Sequence, residues 1–210
     1  MGSRKNRFVM MIIKQIAVGS MANFVYILED PDSREAMAVD SGWETTPLVR
    51  AAEELRAKVK FAVATHEHFD HTSTLRELAD RLGAQVVVHE NSPVEHDMVV
   101  KNGQKLKLGK KGVKVLHTPG HTEDSICLYD GKSLFTGDTL FVGAIGKFER
   151  ETSQAMYDSL HDVIMKLPDN TVIYPGHDYG EVPFRTLREE KAANPFLQTR
   201  DVRSFLSLFA

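Results

Sequence analysis

Thr65-His66-Glu67-His68-Phe69-Asp70-His71 sets three histidines and an aspartate within six residues. The stretch follows directly on Phe61-Ala62-Val63-Ala64, a short apolar run that reads as a buried strand. In extended backbone successive side chains alternate, so His66 and His68 point to the same side and can grip one cation. Asp70 and His71 come where the chain turns into the next helix, so they can face a second cation close by. Neutral imidazoles bind zinc and other borderline metals at about 2.0–2.1 Å. A lone histidine is usually structural; three at this spacing with a carboxylate form a ligand pattern.

Three further fragments place the same residue types just beyond apolar, strand-like runs. His117-Thr118-Pro119-Gly120-His121-Thr122 follows Val113 to Leu116, and its proline and glycine shape a tight loop that can present His121. Phe135-Thr136-Gly137-Asp138-Thr139-Leu140 sets a carboxylate after a strand. Tyr174-Pro175-Gly176-His177-Asp178-Tyr179 does the same with a histidine. Each fragment is weak alone; together, all at strand-to-loop junctions, they point to one shared pocket.

Outward from these fragments, runs rich in Val, Ile, Phe and Tyr predict early strands at about 9–17, 23–29 and 35–40. Asp30-Pro31-Asp32-Ser33 turns the chain between the last two. Thr46-Pro47 predicts a helix start with Thr46 as the capping hydroxyl, and Leu48, Ala51, Ala52, Leu55 and Val59 recur at helical spacing. A second helix is expected over about 72–82, with Leu75, Leu78, Ala79 and Leu82 on one face and Gly83 as its stop. Val86-Val87-Val88 reads as a buried strand. Strands at about 105–108, 113–117, 125–129 and 133–136 follow, then a helix over about 153–166 and a strand at 172–174. C-terminal helices are expected at about 183–193 and 199–208. Strands with helices inserted, in a pattern that loosely repeats, fit two packed sheets covered by helices. No long linker divides the chain, so residues 1–210 are expected to form one domain, with 1–8 as a disordered lead.

The formal net charge of −3 argues against a nucleic-acid partner, which needs a basic stripe. Lys105, Lys107, Lys110, Lys111 and Lys114 read instead as the solvated face of a hairpin. The single cysteine, Cys127, sits in the apolar run Ile126-Cys127-Leu128-Tyr129 and reads as a buried, inert thiol, consistent with a reducing cytoplasm. Phe8-Val9-Met10-Met11-Ile12-Ile13 is too short to span a membrane, and no small-residue cleavage site separates it from Lys14. A cytoplasmic protein without membrane or nucleic-acid partners is expected.

The order H-x-H-x-D-H from His66 to His71, then His121, Asp138 and His177, with Asp40 upstream in Val39-Asp40-Ser41-Gly42, resembles the metallo-β-lactamase superfamily over roughly residues 11–198. The resemblance implies an α/β (α+β) fold: a four-layer αβ/βα sandwich with a site at the sheet edges and short C-terminal helices. It also implies two divalent metal ions, zinc first, with iron or manganese as alternatives. His66, His68 and His121 would hold one ion, Asp70, His71 and His177 the other, and Asp138 would bridge them. Asp40 would orient ligands without touching metal. Two divalent ions outweigh two carboxylates and a bridging hydroxide, so such a site stays positive and can deprotonate a shared water near neutral pH. Catalysis would then rest on that hydroxide, with Asp70 and Asp138 beside it.

Within the superfamily, Gly146-Lys147-Phe148-Glu149 and the stretch from Tyr174 to Tyr179 look like glyoxalase II, the hydroxyacylglutathione hydrolase. There a lysine after the bridging aspartate and a tyrosine after the last histidine contact glutathione. The resemblance thus implies Lys147 and Tyr179 as substrate-binding residues and a small S-acyl thiol as substrate. A thioester suits this machinery, because a thiolate of pKa near about 8.5 leaves without a strong general acid. Glu123-Asp124 stand where many members carry Pro-Gly after Gly-His-Thr. The alternative within the same fold is a persulfide dioxygenase with one iron on His66, His121 and Asp138. Those enzymes usually carry arginine where Lys147 stands.

Overall fold

The structure is a computed structural model that describes residues 10–209, so the expected lead at 1–8 lies outside the described residues. Six strands form one sheet in chain order: β1 (Ile12–Val18), β2 (Asn23–Glu29), β3 (Glu35–Val39), β4 (Lys58–Val63), β5 (Gln85–His89) and β6 (Met98–Val100). β1 to β3 pair antiparallel and β3 to β6 parallel. A second sheet of six holds β7 (Lys105–Leu108), β8 (Lys111–His117), β9 (Ile126–Tyr129), β10 (Ser133–Gly137), β11 (Val172–Pro175) and β12 (Arg185–Thr186), again as sequential neighbours. Here only β10 and β11 run parallel.

The alternation of side chains explains the layering. Phe24, Tyr26 and Leu28 of β2, Met37 and Val39 of β3, and Phe61 and Val63 of β4 face Val113, Val115, Leu128 and Phe135 of the other sheet in one continuous core. The residues between them, Val25, Ile27, Ala36 and Ala38, face outward under α1 (Thr46–Leu55), which contributes Leu48, Ala51 and Ala52. Ala62 and Ala64 lie under Leu75 and Ala79 of a helix over Leu75–Leu82. The outer face of the second sheet, with Leu116, Cys127, Leu134 and Ile173, is covered by Met156, Leu160, Leu187 and Phe205 from the later helices. The result is the expected four-layer αβ/βα sandwich.

Several boundaries differ from the sequence expectation, each for a local reason. Thr46 is not the cap of α1: Thr45 occupies that position, neither hydroxyl caps the helix, and the Thr45 hydroxyl instead donates to Glu77 at 2.9 Å. The helix expected over 72–82 starts later, at α3 (Leu75–Leu82), and a separate helical turn, α2 (Phe69–Thr72), precedes it. The break lets the first turn swing His71 inward while α3 packs on the sheet; Gly83, at φ +65°, ends α3 as expected. The span 153–166 opens as α4 (Ser153–Asp158) and continues through a π-helical turn, Ser159–Val163, into a 3₁₀ turn. The helix expected from 183 starts at α5 (Leu187–Ala193), where a Thr186–Glu189 capping box fixes its first turn. The last one is α6 (Val202–Leu206), capped by Asp201.

The β7–β8 hairpin carries the lysines as expected. Lys105, Lys107, Lys110 and Lys114 are exposed, and Lys111 reaches Asp30 at 2.9 Å. Cys127 is fully buried, and burial pushes its thiol up to about 12. Among the described residues, no helix is long and apolar enough to cross a membrane.

Candidate metal centre

The chain leaves β3 at Asp40, β4 just before His66, β10 just before Asp138 and β11 just before His177. All four points lie at the same edge of the sandwich, where parallel strands deliver their carboxyl ends. Backbone hydrogen bonds sew the two sheets together there: Phe24 N–H to the Gly176 carbonyl at 2.8 Å, Asp178 N–H to Ala22 at 2.8 Å and Ile126 N–H to Thr65 at 2.8 Å. Within the second sheet the ends of β10 and β11 also approach closely: a Cβ at Gly176 would lie 2.4 Å from Asp138 Oδ1 and 3.0 Å from the Gly137 backbone.

The side chains fall into two adjoining sets. His66 Nε2, His68 Nδ1 and His121 Nε2 lie 2.9, 3.1 and 3.3 Å apart. His71 Nε2 lies 3.2 Å from His177 Nε2, and Asp70 Oδ2 lies 3.4 Å from each. Ligand atoms about 2.0–2.1 Å from a tetrahedral ion are separated by about 3.3 Å, so both triangles have the size of one face of such a site. Asp138 stands between them: its Oδ2 is 3.5 Å from His121 Nε2 and 3.3 Å from His177 Nε2, and its Oδ1 is 3.3 Å from His71 Nε2. That Oδ1 is buried without a hydrogen-bond partner, which is costly unless a cation meets it. The donor set and its spacing fit two divalent ions.

The far nitrogen of four of the five rings is held by an acceptor, which turns the other lone pair toward the centre. His71 Nδ1 meets Asp40 Oδ2 at 2.9 Å, His177 Nδ1–H donates to the Met21 carbonyl at 2.9 Å, and His121 Nδ1–H to the Lys147 carbonyl at 2.6 Å. His66 Nδ1 lies 3.1 Å from the Thr65 hydroxyl, which itself donates to Asp40 Oδ2 at 2.9 Å. Asp40 also accepts the Thr65 N–H at 2.7 Å and sits at φ +56°, a left-handed conformation costly for any residue but glycine. It touches a ring and a loop, and none of the imidazole nitrogens that face the centre.

Electrostatics separates the groups. Burial favours a neutral Asp138, but the hydrogen bond from His177 and the charge of His71 hold its carboxyl far below the usual carboxylate range. Burial works against a protonated His71; the Asp40 and Asp138 carboxylates more than offset it and push that ring up to about 9. Burial holds His66 well below its ordinary value, and His121 below its own. In the first triangle His66 and His121 therefore offer neutral imidazoles, while in the second a cation must displace the proton on His71.

Lys147 is exposed, in a loop anchored on one side by the His121 hydrogen bond and on the other by Phe148 stacked on Phe205 at 5.3 Å. Tyr179 is 55% exposed and stacks on His177 with ring centroids 4.6 Å apart. Both border the centre. Three contributors carry no local signal in the sequence. Fully buried Asn23 donates to Asp70 Oδ2 at 2.8 Å, Thr65 links Asp40 to His66, and buried Asp124 accepts from the Glu67 N–H at 3.3 Å and the Thr122 hydroxyl at 2.7 Å.

Residues 19–177 match the pattern of the metallo-β-lactamase superfamily. A probable polyketide biosynthesis zinc-dependent hydrolase of Bacillus subtilis is 31% identical over 184 residues, 84% of this chain and 82% of that protein. The mitochondrial persulfide dioxygenase ETHE1 of mouse is 33% identical over 194 residues, covering 89% and 76%. A cytoplasmic hydroxyacylglutathione hydrolase of Arabidopsis thaliana is 37% identical over 170 residues, covering 75% and 64%. The crystal structure of ETHE1 from Myxococcus xanthus superposes with a TM-score of 0.87 at 32% identity, over 94% of this chain and 89% of the other.

Proposed function

This chain belongs to the metallo-β-lactamase superfamily, and from that premise we propose that it is a metal-dependent hydrolase of S-acyl thiols. The observation that supports this reading best is that the centre is double. One triangle of imidazoles and a second of two imidazoles and a carboxylate share Asp138 as a common wall. Two divalent ions held there would supply Lewis acidity and a water activated near neutral pH. The chain's own part is to keep Asp138 ionised, to keep His66 and His121 neutral, and to fix the rings through Asp40, Met21 and Lys147. A thiolate leaves without a strong acid, so the centre needs no further proton donor.

Similarity to a hydroxyacylglutathione hydrolase supports Lys147 and Tyr179 as the thiol-carrier side. Lys147 extends its exposed side chain, without an ion-pair partner among the described residues, from an anchored loop, which suits a carrier carboxylate. Lys147→Ala should raise KM about tenfold and leave kcat nearly unchanged if the group binds the carrier equally in ground and transition states. A fall in kcat with KM constant would assign it to the reaction step instead.

A second reading has its own support. His66 Nε2 and His121 Nε2 lie 3.3 Å apart with Asp138 Oδ2 3.5 Å from His121, so the same atoms could serve a single iron, and the mouse persulfide dioxygenase is similar over most of its length. Metal content of unsupplemented protein, with lactoylglutathione hydrolysis and oxygen uptake on glutathione persulfide in parallel, separates the two. Two ions per chain and thioester hydrolysis are expected. One iron per chain with oxygen consumption overturns the hydrolase.

A further inference from the structure

Beside the second triangle lies an apolar surface that the chemistry above does not use. Trp43 is 38% exposed, Phe69 67% and Met21 45%. The Trp43 and Phe69 rings meet edge to face with centroids 5.6 Å apart. Phe69 stands between His68 and Asp70 in the chain, so this surface begins at the ligands themselves. Met21, whose carbonyl holds His177, adds a further exposed apolar side chain at the second triangle.

An exposed tryptophan ordinarily samples several rotamers, and fixing it costs entropy. Trp43 is fixed. Its indole N–H donates to Asn23 Oδ1 at 3.0 Å, and the same amide donates to Asp70 Oδ2 at 2.8 Å. An indole N–H can only donate, which settles which way the Asn23 amide faces. Behind the ring is Gly19, at φ +68°, where a Cβ would lie 2.0 Å from Trp43 Cδ1, so only glycine leaves the ring its place. The one polar atom of the indole is thus already spent on Asn23. What remains toward solvent is a preorganised hydrocarbon face without a hydrogen-bond donor, next to the reacting centre.

We propose that this face receives the acyl group of the substrate, and that the acyl group is an apolar chain rather than a small hydroxyacyl unit. The proposal rests on the S-acyl thiol reading above. A hydroxyl on the chain would lose water against Trp43 and Phe69 and gain no partner, whereas each methylene laid there leaves water. The thiol carrier keeps the Lys147 and Tyr179 side.

Trp43 is the only tryptophan of the chain, so its emission reports occupancy of the face directly. Zinc-loaded protein would be titrated with n-alkanoates from acetate to octanoate, which are the acyl products, while hydrolysis of S-acyl thiols of the same lengths is followed in parallel. Binding should shift Trp43 emission to shorter wavelength and tighten roughly two- to fourfold per added methylene, with the same trend in kcat/KM. Phe69→Ala should flatten that dependence. Trp43→Phe, followed by calorimetry, should retain it, because the apolar face survives while the indole hydrogen bond is lost. An unmoved emission, an affinity independent of chain length, or a dependence on the alkyl length of the thiol instead of the acyl group overturns the proposal. Chain-length-dependent binding without turnover of any S-acyl thiol overturns the hydrolase reading and leaves the apolar site in place.

Discussion

Asp138→Ala is expected to strip at least one metal ion and to lower turnover by roughly a thousandfold or more. The carboxylate reaches both triangles, with oxygens 3.3 to 3.5 Å from His71, His121 and His177. It is 9% exposed and held ionised against its own burial, so it is the fixed negative charge around which the imidazoles gather. Without it, two cations would sit close together with only Asp70 to neutralise them, and their mutual repulsion would expel at least one. Asp138→Asn keeps the shape and removes the charge; it should lose metal nearly as completely. Elemental analysis of both variants, with kcat on any turned-over thioester, checks this. Two ions per chain and near-normal turnover in Asp138→Ala would remove Asp138 from the bridging position.

How the site was legible follows from what each residue does. His66, His68, Asp70 and His71 share one short loop, and the period of extended backbone alone says which of them point together. His121, Asp138 and His177 stand out because each follows an apolar strand and sits next to glycine, which the packed edge requires. The supporting residues were not legible. Asn23 acts on Asp70 across 47 positions, a pairing made only when β2 and β4 lie in one sheet, and Asp124 on Glu67 across 57, a pairing made only once the two sheets are joined at this edge. Trp43 carries no mark of its role in the sequence, because one aromatic between Gly42 and Glu44 shows no period and no motif. In the fold, the strands stand out as apolar runs rich in Val, Ile, Phe and Tyr, while β6, three residues long, lacks the length to show one. The break between α2 and α3 was hidden because Leu75, Leu78 and Ala79 keep helical spacing on their own. What divides the two helices is the demand that His71 turn inward, a constraint of the centre and not of local propensity.

Removing the metal should lower Tm by about 10 °C near neutral pH, and the loss should grow as pH rises. An ion present at about a thousand times its Kd stabilises by about 4 kcal/mol, and about 1 kcal/mol moves Tm by about 2–4 °C in a chain of this size. The pH dependence comes from His71, raised to about 9 in the metal-free protein by Asp40 and Asp138 against the cost of burial. A group raised above its unfolded value of about 6.5 contributes stability fully below that value and loses it as pH climbs through the folded one. The stripped protein should therefore weaken between about pH 6.5 and 9. Asp138 acts in the opposite sense: its lowered pKa contributes stability above the ordinary carboxylate value, lost only on strong acidification. In the loaded protein the ion takes the place of the His71 proton, so metal binding strengthens over the same alkaline window in which the stripped form weakens. Both trends widen the gap between the two melting curves toward pH 9. Asp40→Asn removes the nearest charge that raises His71, so its stripped form should weaken at lower pH. Melting loaded and chelated protein from pH 6 to 9.5 tests this; a gap that stays constant or closes with rising pH would mean that His71 does not carry the proton the metal displaces.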